Sequence, residues 1–445
     1  MQLLRVSPAR RAQILALALP IIGGMTSQNI LNLVDTAMVG RLGPAALAGV
    51  GIVSFLSFLA VAAVTGMSSA VQAMAARRFG EGRHAETAVS LNGGLLVSLA
   101  YGLPVSLILW FSCEAIVAAL VADPAVVAEG GQYFQMRVLG IIFVGMNFSF
   151  RGYWSAVNLT RLYLRTLLIM HVVNVFLNYV LIFGRWGFPE MGTAGAGLGT
   201  ALSIMLGTAI YFFLAVRHAR GNGFLERIPR VEQLRDLLRL GIPASVTQIL
   251  FAGGFTALFW IIAKVGTAEL AVANVLINIT LVAILPGIGF GIAAATLAGQ
   301  ALGRQQPADA HAWAWDVTRV ASLVFLGFSA IMLLATDAVL GLFLTDPALV
   351  ALGHWPLVLV GIGILVDGIG LILMQSLLGV GASGAVMRVS VGMQWLVFLP
   401  LAYLIGPVLG AGLLEIWLLM NLYRGGQAAI FAAIWQRRRW ASIKL

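Results

Sequence analysis

Cysteine is almost missing from this chain, with Cys113 its single copy. That excludes a disulfide framework and cysteine-rich metal sites, and five scattered histidines make no ligand-spaced cluster in their place. Charge is scarce as well. Only 10% of the residues are Asp, Glu, Lys or Arg, where a soluble domain carries roughly 25%. A soluble fold of 445 residues could not hide an apolar content of 60% and a mean hydropathy of +0.97. Lipid must therefore be the solvent for most of the surface. Acidic residues are the rarer charged kind, and the formal net charge is +10. The basic excess is broken into short clusters between apolar runs, which argues against a nucleic-acid partner and for determinants of membrane topology.

Long apolar runs are what the chain has. Twelve are long enough to cross about 30 Å of hydrocarbon. They fall at 12–38, 45–76, 88–112, 133–157, 162–184, 193–216, 237–263, 268–302, 314–336, 356–380, 386–406 and 409–435. The connections alternate in charge. One set holds Arg5, Arg10 and Arg11, then Arg77, Arg78 and Arg83, then Arg161 and Arg165. It continues with a cluster from Arg217 to Arg239, Arg304, Arg319 and Arg388, and ends with Arg437, Arg438, Arg439 and Lys444; the opposite set holds Arg41, Arg185 and Lys264. That asymmetry predicts an inner-membrane protein with both termini in the cytoplasm. The opening segment RRAQILALALPIIGG resembles a secretory signal, but the repeat described next includes it, which predicts a retained helix.

Shifting the sequence by 223 residues matches LALALP (15–20) with LRLGIP (238–243) and GPAALA (43–48) with GTAELA (266–271). The same shift lays DPAVVAEG (123–130) on DPALVALG (346–353), identical at six of eight positions. One ungapped offset serves every match, which marks a duplication. The fold class expected is therefore all-α and polytopic, with twelve transmembrane helices in two pseudo-two-fold related six-helix lobes. The lobes are placed at 1–216 and 237–445, with a cytoplasmic linker at 217–236. Six helices per lobe give both copies the same orientation, the plan of an alternating-access transporter. Paired lobes within one chain predict a monomer.

A few polar residues sit where a bilayer protein avoids them. Asp35 lies late in the first span, where an ionised carboxylate is expensive unless it is paired or takes up a proton. It could be an interfacial acid paired with Arg41. However, Gln28, Asn32 and Asp35 follow helical spacing and make one polar stripe, and His171, Asn174 and Asn178 make another in the fifth span. Thr200 of the sixth span falls at a similar depth. Unpaired polar groups are costly in lipid, so the stripes should face one another within the first lobe. A carboxylate among neutral amides and a hydroxyl, with no fixed cation beside it, can bind a proton or a sodium ion.

The ordered series DTAMVGRLGPAALAGVG, AARRFGEGR, NVFLNYVLIFG, GTAGAGLGTALS and GQALGRQQ resembles the multidrug and toxic compound extrusion (MATE) transporters over essentially the whole chain, and most of all their DinF-type bacterial branch. The resemblance implies a cation site in the N-terminal lobe, with Asp35 as the central carboxylate. Asn174, Asn178 and Thr200 would complete it, with Tyr133 nearby. It also implies export of amphipathic, often cationic small molecules coupled to protons, or alternatively to sodium, with no cofactor and no metal other than that ion. Many relatives carry a second carboxylate where this chain has Asn178, a departure that weakens sodium more than proton coupling.

Asp367, mid-way through the tenth span, resembles an acid of the NorM-type branch that serves a second-lobe cation site. That branch also has a glutamate where this chain has Phe251, so Asp367 is a secondary proton or substrate group. His171 could relay protons, or simply pack, while Asn32 and Gln28 extend the first stripe. Two other readings remain open. A lipid or lipid-linked-oligosaccharide flippase should carry several cationic residues in its cavity, and the membrane arginines here are few. An intramembrane enzyme would need a nucleophile–base pair or metal cluster within the spans, and none is evident.

Overall fold

A computed structural model describes residues 6–445; Arg5, one of the topology determinants, lies outside the described residues. The chain is helical throughout. Its helices are α1 (Pro8–Gly40), α2 (Pro44–Gly80), α3 (Val89–Leu120), α4 (Pro124–Val138), α5 (Ile141–Ala156), α6 (Thr160–Phe183) and α7 (Gly192–His218). These are followed by α8 (Val231–Ala263), α9 (Thr267–Gly303), α10 (Pro307–Leu334), short α11 (Thr336–Gly341) and α12 (Pro347–Gly379). The last are α13 (Ser383–Val391), α14 (Leu399–Tyr403) and α15 (Leu413–Gln436). No strand occurs among the described residues.

Ten helical segments are long and apolar enough to cross a membrane, and α4 with α5, bent by 50° at their break, makes an eleventh. The twelfth predicted span is α15, whose hydropathy is lowered by Asn421, Arg424 and Gln427. The chain is an all-α polytopic membrane protein. Two predicted bounds shift. The fourth span starts at Pro124 rather than 133, and the tenth at Pro347 rather than 356. Each begins on an Asp-Pro pair: the Asp123 and Asp346 carboxylates accept from the backbone N–H of Ala125 and Ala348, both at 2.9 Å. An N-cap followed by proline starts a helix several residues before the apolar run does. The eleventh span continues α13 through π-helical turns at Gly392–Phe398 and Leu404–Val408 on either side of α14.

The duplication is visible in the helix bounds. α1 and α8 are both 33 residues long and start at 8 and 231; α2 and α9 are both 37 residues long and start at 44 and 267. The α4–α5 pair spans 124–156 and α12 spans 347–379. Every one of these pairs keeps the 223-residue offset.

The chain divides into two compact units, one of Gly23–Ser245 and the other of Val246–Leu445 together with the chain up to Ile22. We call them the N unit and the C unit. The division falls inside α1 and inside α8, so each of these helices contributes to both units. In the N unit α2 packs against α4 and α5, α4 against α7, and α6 against α7. Small residues allow the close approach: a Cβ on Gly49 would lie 2.8 Å from the backbone N of Gly130, so α2 and α4 touch backbone to backbone. In the C unit α12 is central, packed against α9, α10 and α15.

Candidate functional site

The polar stripes of the N unit meet. Asn178 Nδ2 donates to Asp35 Oδ1 at 2.9 Å, and His171 Nε2 lies 3.1 Å from Gln28 Oε1. Both contacts join residues 143 positions apart, as expected where α1 and α6 run side by side in the same direction. Gln28 Nε2 also donates to Asn32 Oδ1 at 3.1 Å. No ion pair joins Asp35 to Arg41 among the described residues.

Behind the carboxylate runs a chain of neutral groups. The Asn178 amide spends its second hydrogen on Asn174 Oδ1 at 3.1 Å, and Asn174 Nδ2 donates to Ser203 Oγ at 3.1 Å. Ser203 Oγ in turn donates to the carbonyl of Thr200 at 2.8 Å. Asn174, Asn178 and Ser203 are buried, each about 1% exposed, so each bond is made out of reach of competing water. Two buried atoms in this network lack a partner, Asn178 Oδ1 and His171 Nδ1. The first is pressed against α7, where a Cβ on Gly199 would lie 2.3 Å away. Gly199 therefore lets α7 come close enough to hold the amide in place.

The remaining expected members fall nearby but act differently. The Thr200 hydroxyl donates to the carbonyl of Ala196 at 2.8 Å, within its own helix, and does not bond Asp35. Its backbone carbonyl, not its side chain, enters the network. Tyr133 is buried in an apolar cluster with Val39, Phe134, Val138, Ile182 and Ala196, and no hydrogen bond joins it to Asp35 among the described residues. One expectation fails. Asp35 was to have no fixed cation beside it, but the Arg137 guanidinium of α4 acts electrostatically on its carboxylate. The apolar run that begins the fourth predicted span at 133 hides this, because Arg137 lies inside it rather than at a boundary. Ser203 was also missed as an individual residue. The signal was present: it sits three residues past Thr200 and on the same helical face.

This donor set is a carboxylate, an unpartnered amide oxygen and further neutral oxygens. Such a set can hold a proton on Asp35 or a small hard cation between oxygens. Among the described residues no group of His, Cys, Asp and Glu is spaced to hold a metal of the zinc or iron type.

Asp367 lies in the C unit and faces Arg424 of α15, with Nη1 to Oδ1 at 3.6 Å. It belongs to a different cluster from Asp35. Phe251, at the position where a glutamate was looked for, packs edge-on against Phe255 and lies 5.6 Å beneath the Arg424 guanidinium.

Comparison with known proteins fits this geometry. A family model described as MatE matches residues 20–180 and again 243–404, at the same internal offset as the helices. The chain is a member of the MatE family. It is accordingly a multi-pass membrane transporter and not an enzyme. Among relatives of this MatE protein, the Probable multidrug resistance protein NorM of Pseudomonas putida is 27% identical over 439 residues, which cover 96% of this chain and 94% of that one. The protein of the same name from Bradyrhizobium diazoefficiens is 29% identical over 425 residues, 91% of this chain and 88% of that one. In fold the MatE chain is similar to the crystal structure of MATE in the straight conformation, with TM-score 0.88, 21% identity, and 98% and 97% of the two chains covered. An outward-facing multidrug resistance MATE family transporter of the MOP superfamily gives TM-score 0.87 at 20% identity, over 100% and 98%.

Proposed function

We propose that this transporter is a proton-coupled antiporter that exports amphipathic, often cationic organic compounds across a bacterial inner membrane. The observation that carries this reading is the Asp35–Asn178 hydrogen bond, with its neutral chain to Asn174 and Ser203. The relatives' shared name, a multidrug resistance protein, supports the substrate class. The basic residues of the connections support both termini in the cytoplasm. Six helices to each half-chain support a monomer that carries out alternating access alone, with no cofactor and with lipid and small molecules as its partners. Placement of the carboxylate cluster in the N unit supports the DinF-type branch.

Ionised Asp35 accepts from Asn178, whose amide has both hydrogens committed. A proton from the outside converts Asp35 from an acceptor into a donor. The idle Asn178 Oδ1 is the acceptor waiting for it, and an amide turn that presents this oxygen withdraws the hydrogen from Asn174. The change then passes to Ser203 and to the backbone of α7 at Thr200. Protonation thus rewrites bonds between α1, α6 and α7, and the N unit rearranges to release substrate outward. The reverse change follows when the proton leaves to the cytoplasm. The membrane potential supplies about 2.3 kcal/mol per charge per 100 mV, to which the pH gradient adds.

One carboxylate favours a proton over sodium, since it leaves a single negative charge for a hard ion that prefers several. The test is efflux of a fluorescent organic cation from proteoliposomes under an imposed pH gradient, with and without a sodium gradient. Wild type should respond to the pH gradient and Asp35→Asn should not. Equal proton-driven transport by Asp35→Asn, or a response to sodium alone, defeats the reading.

A further inference from the structure

The Asp367–Arg424 pair is the second buried charge cluster of the membrane region, and the coupling cycle does not use it. Its geometry is that of an open pair. At 3.6 Å the closest N–O approach is within ion-pair range but too long for a hydrogen bond. Guanidinium carries five N–H donors in a planar fork. Its other neighbours are ring faces, Phe251 and Tyr423, each 5.6 Å from the guanidinium carbon. Leaving such donors unfilled away from water is costly. Both charged groups line one cavity of about 30 Å³, whose walls include Phe255, Leu281, Ile284 and Met420.

We propose that this cavity binds the head group of an amphipathic zwitterion, with the ligand's carboxylate on Arg424 and its ammonium or iminium centre near Asp367. The proposal rests on the transport reading and names a substrate class for it. Charge balance selects the class. A lone organic cation that pairs with Asp367 leaves Arg424 facing a like charge in an apolar wall, and a lone anion leaves Asp367 in the same position. A zwitterion replaces one long pair by two close ones and leaves neither group uncompensated. The planar fork of Arg424 matches a carboxylate with two parallel bonds. A volume of about 30 Å³ is room for a carboxylate and not for a whole drug. The apolar body of the ligand therefore rests against the Phe255, Leu281 and Met420 side of the opening.

The test is equilibrium binding by fluorescence anisotropy to the full-length protein in nanodiscs. The probes are a carboxyrhodamine zwitterion and its methyl ester, a cation on the same ring system. Wild type should bind the zwitterion roughly tenfold or more tighter than the ester, the discrimination expected of a charge-assisted bidentate contact. Arg424→Gln should weaken the zwitterion and spare the ester, so that the ratio falls to about one, with Arg424→Lys intermediate. Asp35→Asn should keep the wild-type ratio, since Asp35 belongs to the other unit. Equal binding of acid and ester by wild type overturns the proposal, and so does a ratio that Arg424→Gln leaves unchanged. Should Arg424→Gln not fold, the wild-type ratio and the lysine variant decide. Loss of proton-driven efflux with an intact ratio would instead count against the coupling reading alone.

Discussion

Helices α1 and α8 are equal in length and start 223 residues apart, yet where α1 carries Gln28, Asn32 and Asp35, α8 carries Phe251, Phe255 and Leu258. The same holds along the next pair: His171, Asn174 and Asn178 of α6 stand opposite Gln394, Val397 and Leu401 in the C unit. The exchange also runs the other way. Asp367 and Arg424 of the C unit correspond to Val144 and Ala201 of the N unit. Two copies of one helical scaffold thus hold two polar clusters at non-equivalent depths and of opposite design. One is a single acid among neutral amides. The other is an acid with its own cation. In lipid the backbone satisfies itself within each helix, so the scaffold tolerates either cluster, provided that its members pair within the same unit. Function was placed by side-chain exchange on a duplicated frame.

Several substitutions can break or sharpen that contrast. The largest effect is expected from making the N unit resemble its copy. Asp35→Leu with Asn178→Leu should fold, because both replacements are apolar in lipid, but proton-driven efflux should fall to background in proteoliposomes. The converse graft should fail structurally. Leu258 is buried at 1% exposure, and Leu258→Asp places a carboxylate there without the Asn178 partner. It should cost about 3–5 kcal/mol, read as a lower melting temperature in detergent. Gly199→Ala tests whether close approach of α7 holds the site. The added methyl meets Asn178 Oδ1, and overpacking of this kind costs about 1–3 kcal/mol, with weaker coupling than in wild type. The smallest effects should be the equal ones. Asp123→Ala and Asp346→Ala each remove an N-cap bond of 2.9 Å and should each lower stability by about 1 kcal/mol. A large inequality between these two would show that the copies differ even where their sequences agree.

Much of the frame was legible because lipid enforces a simple rule: apolar runs of sufficient length are helices. The repeat was legible because DPAVVAEG and DPALVALG preserve an N-cap, a proline and a small residue in one order. What escaped was set by three-dimensional approach. The bend between α4 and α5 lies in an uninterrupted apolar stretch, and the start of α4 lies before it. The division of α1 at Ile22 and Gly23 leaves no trace in hydropathy, since the helix continues through it. Within the site, spacing alone put Asp35 and Asn178 on facing stripes, because unpaired polar groups in lipid must find one another. The same reasoning could not show that the Thr200 hydroxyl turns back on its own helix, which any threonine can do by bonding to the carbonyl four residues earlier. Nor could it show that Arg137 reaches toward Asp35 from the interior of a span.

The twin contacts at a constant separation of 143 residues have a kinematic consequence. A helix fastened to its neighbour at one point can spin about its own axis; one pegged at two points a turn or two apart cannot, without tearing both pegs at once. With Gln28 on His171 and Asp35 on Asn178, the outer stretch of α1 keeps its phase against α6. Proline lacks the N–H that would tie it to the preceding turn and is a common point of helix bending. Pro20 stands upstream of both pegs, so hinging there is the freedom that α1 retains while its polar teeth stay engaged.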